Sequence, residues 1–579
     1  MRKLLRFLKP YRVESVLGPL FKILEAAFEL MIPLLVADIV DVGIKNGDRD
    51  YILGRCGLMI LFGMIGLAAT VMAQYFSAKA AVGMAAGLRR EIFAHIGGLS
   101  FASTDKFGTS TLLSRATTDV QQIQNTVNLV LRLFLRSPFI VFGAMIMAFT
   151  VSPFAAMTFV VTIPLLSVAI FGVMLINIPL FRRVQGKLDL VLKETRENLT
   201  GIRVVRAFAR EEDSIADFRE TNKEFTRLQK FTGRFSALLN PITYVIINLS
   251  ILVIIWRGGV QVNSGNLKQG EVIALYNYMS QILIELIKMA NFIILITKSC
   301  AAASRVNEVL ETPLGMPRFA TAENAGAESS EAGSVVFSDV SLSYHQNGEY
   351  ALSHISLSAA RGEVIGIIGG TGSGKSTLVN LIPRLYDVTE GRVLVDGLDV
   401  RAYDDPAKLR QKIGLVPQKA ELFAGTVRDN LKFGNENATD EELLAALDAA
   451  IARDFVEKEG GLDLKVEQGG RNLSGGQKQR LTIARALVRN PEILILDDSA
   501  SALDFATDAR LRATIAALPS HPTVFIVSQR TASLLDADRI LVLEDGISAG
   551  YGTHAELLES SEIYREIYFS QFEKEGGDF

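Results

Sequence analysis

Six apolar stretches, each near the length needed to cross a bilayer, occupy the first 300 residues of this 579-residue chain. They lie at about 15–40, 57–80, 127–151, 154–178, 237–256 and 272–297, and each predicts a transmembrane helix. The connections after the first, third and fifth stretches are short, whereas those after the second and fourth run to about 46 and 58 residues. Positive charge orients them. Residues 181–235 hold 13 Lys or Arg and the first dozen residues hold five, but the short connections hold only Lys45, Arg49, Arg55, Arg257 and Lys268. The long connections and both termini are therefore expected on the cytoplasmic side of a cytoplasmic membrane. In Lys187–Lys193, apolar Leu188, Val191 and Leu192 fall at i, i+3 and i+4, so long helices are expected to continue below the bilayer.

Composition agrees with a chain of two unlike halves: 49% of residues are hydrophobic and only 21% charged. A formal net charge of −3 provides no basic field to recruit nucleic acid. Two cysteines, Cys56 and Cys300, are too few for a disulfide framework or a four-ligand zinc site, and both are expected as small buried hydrophobes. The start, Met1 to Arg6, runs into an apolar region without an A-x-A site, so no cleavable leader is expected.

From about 312 to 334 the chain turns to Pro, Gly, Ala, Ser and Glu without periodicity, as a linker does. Beyond it, short β-rich runs (Val335–Phe337, Val364–Ile368, Ile493–Leu496, Val524–Val527) alternate with helical patterns. That alternation predicts a soluble α/β domain with a largely parallel sheet. The expected domains are 1–311, membrane; 312–334, linker; and 335–579, soluble.

Gly369, Gly370, Thr371, Gly372, Ser373, Gly374, Lys375 and Ser376 fit G-x-x-x-x-G-K-[ST] between an apolar strand and a helical run that opens at Thr377. Glycines let backbone N–H groups converge on phosphate oxygens at a helix N-terminus. Lys375 is expected to reach the β- and γ-phosphates of ATP, and the Ser376 hydroxyl to ligate Mg²⁺. Ile493–Leu496 ends in Asp497, a carboxylate placed to hold the same ion.

Between these elements stands Leu473-Ser474-Gly475-Gly476-Gln477. With it the chain resembles, over nearly its whole length, an ABC exporter half-transporter: a six-helix all-α transmembrane domain fused to an α/β P-loop nucleotide-binding domain. The resemblance implies that Tyr344 stacks on adenine, although a strand-end core tyrosine would look the same. It implies that Gln418 meets Mg²⁺ and couples to the membrane domain, and that Asp504 belongs to the D-loop. In the family two such domains sandwich two ATP molecules. Ser474, Gly475, Gly476 and Gln477 would then act on the partner's nucleotide.

The chain departs from the family where hydrolysis is carried out. Asp498 stands where the pattern places a Glu that orients the attacking water, and Gln529 stands where it places a switch histidine. None of the five histidines is placed to substitute. Asp is one methylene shorter than Glu, and a misplacement of roughly 1 Å can cost about 10²-fold. A Gln amide can hydrogen-bond a phosphate but carries no positive charge. ATP is therefore expected to bind here and to be hydrolysed slowly, against the alternative of conservative drift with activity retained. Gln468, where exporters often carry Glu, is a further departure.

This pattern resembles the degenerate-site subunit of heterodimeric bacterial multidrug-type exporters, which implies a second ABC chain that supplies the missing Glu and His. A homodimeric exporter with two slow sites and an ATP-gated membrane protein that does not pump remain alternatives. In the sixth span Asn277, Gln281, Glu285 and Lys288 recur on one helical face, either as a solvated substrate pathway or as charges paired between helices. Lys22, Glu25 and Glu29 form a similar stripe in the first span, where pairing is the expected role. The turns around Ser103–Ser114 and Ile202–Glu212 are candidate coupling segments. Drugs, lipids and peptides all remain open as the transported substrate.

Overall fold

The computed structural model of the chain describes residues 2–316, 334–344, 348–403 and 405–572. Most of the expected linker, 317–333, lies outside the described residues. The chain divides into two compact units, Met1–Gly98 with Phe107–Thr312, and Leu99–Lys106 with Pro313–Phe579.

The first unit is helical. Its long helices include Arg12–Asp38, Arg49–Gly97, Arg136–Val151, Pro153–Thr200, Leu239–Asn263 and Gln269–Glu311. Among the described residues, five helical segments are long and apolar enough to cross a membrane. Arg12–Asp38 is not among them, because Lys22, Glu25 and Glu29 interrupt its apolar run. The Arg49–Gly97 and Pro153–Thr200 helices, of 49 and 48 residues, extend roughly 70 Å, over twice the hydrocarbon thickness. Small residues let the first two helices approach closely. Ala73, Ser77, Ala80 and Ala81 are fully buried, and a Cβ at Gly18 would stand 2.4 Å from Ser77 Oγ.

Charge also holds this unit together. The Arg136 side chain, 9% exposed, lies 2.5 Å from Glu29 and 2.5 Å from Glu285, which is 5% exposed. Glu25 approaches Arg136 Nε at 4.0 Å and pairs with Lys22. Ser137 donates to Glu285 Oε2 at 2.6 Å, and Lys288 pairs with Glu285 at 2.9 Å. Three acids and three bases from three helices thus neutralise one another, which satisfies the demand that buried charge be paired. Sequence reasoning did not single out Arg136, although it is a charge within the third apolar stretch. Periodicity along one helix does not reveal what faces it from another.

The expectation for the cysteines is corrected: Cys56 is half-buried and Cys300 exposed. Ser299, Ala302, Ala303 and Val306 take the packed face of the last helix, and Cys300 stands about 100° from Ser299 on the helical wheel.

The second unit contains strands β1 (Val335–Leu342), β2 (Leu352–Ala359), β3 (Val364–Gly369), β4 (Glu390–Val395), β5 (Leu398–Asp399), β6 (Ile413–Val416), β7 (Gly425–Thr426), β8 (Lys465–Val466), β9 (Ile493–Asp497), β10 (Thr523–Val527), β11 (Arg539–Glu544) and β12 (Ile547–Gly552). A six-stranded sheet runs β12-β11-β3-β10-β9-β6, parallel throughout except at the β11–β12 edge. The Val335–Phe337 run does not join it. It belongs to an antiparallel sheet, β2-β1-β4-β5, because the short β1–β2 connection cannot make the long crossover that parallel pairing requires. Ile365, Ile367, Ile495 and Phe525 share a buried cluster with Phe337, Ile355 and Val393 of the second sheet. The Phe101–Phe107 helix contributes to this unit: Phe101 packs on Tyr386 at 6.5 Å, and the Tyr386 hydroxyl donates to Asp105.

Removing Arg136 leaves Glu285 and Glu29 with one fewer counter-charge. Arg136→Ala is expected to cost about 3–5 kcal/mol of stability, and adding Glu285→Gln to recover part of that loss. Thermal melts of the detergent-purified protein measure both; equal melting of Arg136→Ala and wild type would reject the charge network as a structural element.

Candidate functional site

Strand β3 is buried along nearly its whole length and delivers the chain to the carboxyl edge of the parallel sheet. There the backbone turns through Gly369, Gly372 and Gly374, at φ of 155°, 86° and 95°. Side chains are excluded at two of these turns. A Cβ on Gly369 would stand 2.1 Å from Leu543 O, and one on Gly374 2.8 Å from Ala351 O. Gly370 has open space around it, and Thr371 completes the bend into Ser373.

The buried Lys375 ammonium folds over this loop and donates to Gly369 O at 2.9 Å and Gly370 O at 2.6 Å. Ser376 Oγ donates to Asp497 Oδ1 at 2.9 Å. Burial pulls Lys375 below its ordinary pKa range, against the attraction of Asp498 and Asp497. Burial pushes Asp497 up, opposed by the Ser376 hydrogen bond and helped by Asp498. Each charged form therefore gains from an opposite charge brought into the site. A polyphosphate and its divalent cation fit these residues: a loop cleared of side chains, one ammonium, and hard oxygen donors from a hydroxyl and a carboxylate.

Sheet register brings the remaining residues to the same edge. Val527 pairs with both Asp497 and Ile367, so the strands carrying Asp498, Gln529 and the glycine loop end together. Asp498 is half-buried at φ 48°. Its N–H donates to Val527 O at 3.0 Å, and its carbonyl accepts from Ser501 Oγ at 2.8 Å. Gln529 is exposed just past β10. Gln418 is exposed two residues past β6, whose Val416 pairs with Leu496 beside Asp497. Tyr344 is 48% exposed; its hydroxyl donates to Thr377 Oγ1 at 3.0 Å, and its ring meets Tyr386 edge-on at 5.2 Å.

The signature residues stand at a helix start. Ser474 caps Gly475–Leu487 in a reciprocal box: its Oγ accepts from Gln477 N–H at 3.3 Å, and its own N–H donates to Gln477 Oε1 at 2.8 Å. Ser474 and Gly475 are exposed, and Gly476 is half-buried. Asp504 caps Phe505–Ala516 by accepting from Thr507 N–H and Thr507 Oγ at 2.8 and 2.9 Å, which holds its carboxyl below the usual range.

In the helical unit, Asn277 and Gln281 are half-buried, Glu285 is buried, and Lys288 is exposed. Glu285 is engaged by Arg136, Ser137 and Lys288.

Sequence reasoning missed two residues here. Arg530 donates to Leu503 O at 3.1 Å and Ser501 O at 3.3 Å and lies 4.9 Å over the Phe505 ring. Gln571 meets the Gln529–Thr531 loop from the C-terminal helix. Arg530 had a signal, as the neighbour of Gln529. Gln571 had none, since 40 residues separate it from Thr531.

Residues 15–286 match the ABC transporter transmembrane region family, and residues 352–501 match the ABC transporter family. The chain is 38% identical over 583 residues to the uncharacterized ABC transporter ATP-binding protein YfiB of Bacillus subtilis (strain 168), covering 100% of both chains. It is 30% identical over 578 residues to the ATP-dependent lipid A-core flippase of Salmonella typhimurium, covering 99% of this chain and 97% of the flippase. A solved bacterial Atm1-family ABC exporter with ATP bound shares the fold, with a TM-score of 0.78 over 98% of this chain and 99% of that one, at 24% identity. The chain thus belongs to the ABC transporter family, as an exporter half-transporter that carries its transmembrane region and its ATPase domain on one polypeptide.

Proposed function

We propose that this chain is one of two unlike subunits of an ATP-driven exporter, and that its own nucleotide site binds ATP but hydrolyses it slowly. The observation that carries this reading is the fixed backbone at Asp498. Hydrogen bonds to Val527 and Ser501 hold that turn, so an advance of the loop to make up for a side chain one methylene too short would have to break them. The Asp498 carboxylate then falls roughly 1 Å short of a water placed for Glu, which can cost about 10²-fold. Gln529 adds a neutral amide where a cation would otherwise face the γ-phosphate.

The other residues keep their expected roles. Gly369 to Gly374 present backbone N–H groups to the phosphates, and Thr377 extends that contact from the first helical turn. Lys375 neutralises the β- and γ-phosphates, Tyr344 stacks on the base, and Ser376, Asp497 and Gln418 hold Mg²⁺. Bound Mg²⁺ supplies charge neutralisation of the β- and γ-phosphates. The exposed Ser474–Gln477 helix start and Asp504 serve the partner's nucleotide.

Two surfaces support a second chain. Val204 and Phe208, 60% and 74% exposed, lie in the Ile202–Glu212 turn. On the cassette, the exposed and stacked Phe423 and Phe433 border a cavity of about 430 Å³ beside Pro417. In this reading Arg12–Asp38 makes the sixth crossing, its charges paired as described, with both termini and the cassette cytoplasmic. Substrate passes along the Asn277, Gln281 and Lys288 face, where Glu285 holds Arg136 and Lys288 in place. A small amphipathic molecule, lipid or peptide suits a face of mixed polarity, and the flippase relative favours a lipid-like cargo.

Mass spectrometry of the tagged complex from its native membranes is expected to find this chain paired one-to-one with a different ABC chain. Two copies of this chain alone would reject the asymmetric mechanism in favour of two slow sites or of ATP gating without pumping. In single turnover, the pair should release phosphate in a fast and a slow phase. Asp498→Glu should speed the slow phase by about 10²-fold. A single fast phase in the wild type would show instead that Asp498 suffices.

A further inference from the structure

One side chain far along the sequence holds the loop that carries Gln529. Gln571 ends the Glu562–Gln571 helix. Its Nε2 donates to Gln529 O at 2.7 Å, and its Oε1 accepts from Thr531 N–H and Thr531 Oγ, both at 2.9 Å. The amide thus reads two backbone groups, two residues apart, with its donor and its acceptor together. Among the side chains only Gln and Asn carry a donor and an acceptor on two separate atoms at every ordinary pH. Thr531 is fully buried, so loss of Oε1 would leave its N–H and hydroxyl away from water.

The helix that presents Gln571 is itself pinned. Tyr564 is fully buried, with its hydroxyl 2.7 Å from His554 Nδ1, and Tyr568 packs on the same imidazole at 5.3 Å. On the other side, Arg530 lies between the two residues that Gln571 holds. Arg530 donates to the carbonyls of Ser501 and Leu503, and Ser501 Oγ donates to Asp498 O. A continuous hydrogen-bonded path therefore runs from the C-terminal helix through 529–531 to the turn that bears Asp498.

We propose that Gln571 is a positioning residue for ATP hydrolysis, setting where Gln529 stands and, through Arg530, where the 498–504 turn stands. Gln571 touches no nucleotide; it fixes the groups that do. The inference rests on the reading of Gln529 as the residue that faces the γ-phosphate.

The test uses the full complex, with phosphate release in single turnover, ATP affinity and hydrogen exchange at the Thr531 amide as readouts. Gln571→Ala is expected to slow release from this chain's site about ten-fold, to leave ATP affinity within about two-fold, and to speed exchange at Thr531. Gln571→Glu supplies a sharper readout. Its ionised carboxylate still accepts from Thr531 but faces the Gln529 carbonyl with an acceptor in place of a donor. It should therefore slow release while leaving exchange at the Thr531 amide near wild type, which Gln571→Ala does not. Wild-type release in Gln571→Ala, a loss of ATP affinity in step with the rate, or wild-type release in Gln571→Glu would each overturn the proposal. Gln529→Ala, run in parallel, separates the two ideas. Unchanged release there rejects the switch role of Gln529, whereas unchanged release in Gln571→Ala alone rejects the anchor.

Discussion

Parallel pairing of β3, β10 and β9 is the constraint on which the nucleotide site depends. It sets Ile367, Val527 and Asp497 side by side, and the ladder continues one step further as Ser528 donates to Ile367 O and Asp498 to Val527 O. The glycine loop, Asp497 and the loop that carries Gln529 all leave the sheet from that edge. A slip of one residue would turn every side chain to the opposite face, so packing on both faces of the sheet locks the register. The same register aligns Ser376 with Asp497 at 2.9 Å and sets Asp498 one residue beyond the end of β9.

Helix caps carry a second constraint. Ser474 and Asp504, which the family resemblance assigns to the partner's nucleotide, both spend side-chain oxygens on their own helices. The Ser474 hydroxyl is engaged by Gln477 N–H, and the Asp504 carboxylate by two groups of Thr507. At the signature loop, what remains for an anion is the start of a 13-residue helix, with the N–H groups of its first turn and the positive end of the helix dipole. Glycine at 475 and 476 keeps that end clear, since a Cβ at Gly476 would stand 3.2 Å from Ala502 O.

Much of this was legible in the sequence because it is local. The glycine loop, Lys375, Ser376 and the Ser474–Gln477 run lie within a few residues of one another, and their spacing reflects the backbone path. The apolar stretches were equally plain, since a lipid-crossing helix must show its length and hydropathy in consecutive residues. What escaped was contact across distance. Arg136 meets Glu29 and Glu285 from 107 and 149 residues away, and Gln571 meets Thr531 from 40. The antiparallel placement of Val335–Phe337 escaped for another reason: an apolar run reads alike in either kind of sheet, and only its connections decide. Cys300 shows the limit of local apolarity, which does not say which face of a helix packs.

In the helical unit, neutrality rather than charge is the organising fact. An isolated Arg136 within an apolar span would be costly, yet Glu25, Glu29 and Glu285 surround it, and Lys22 and Lys288 balance the excess acid. The deepest members, Arg136 and Glu285, are enclosed by protein, while Glu29 and Lys288 keep roughly two-fifths of their side chains open. A group that is paired and enclosed gains little from a ligand, because any new contact must first break an existing one. The half-open acid and base are the members with hydrogen-bonding capacity to offer. Arg136 and Glu285 thus tie three helices together from inside the protein, and Glu29 and Lys288 are the members of the network left half open.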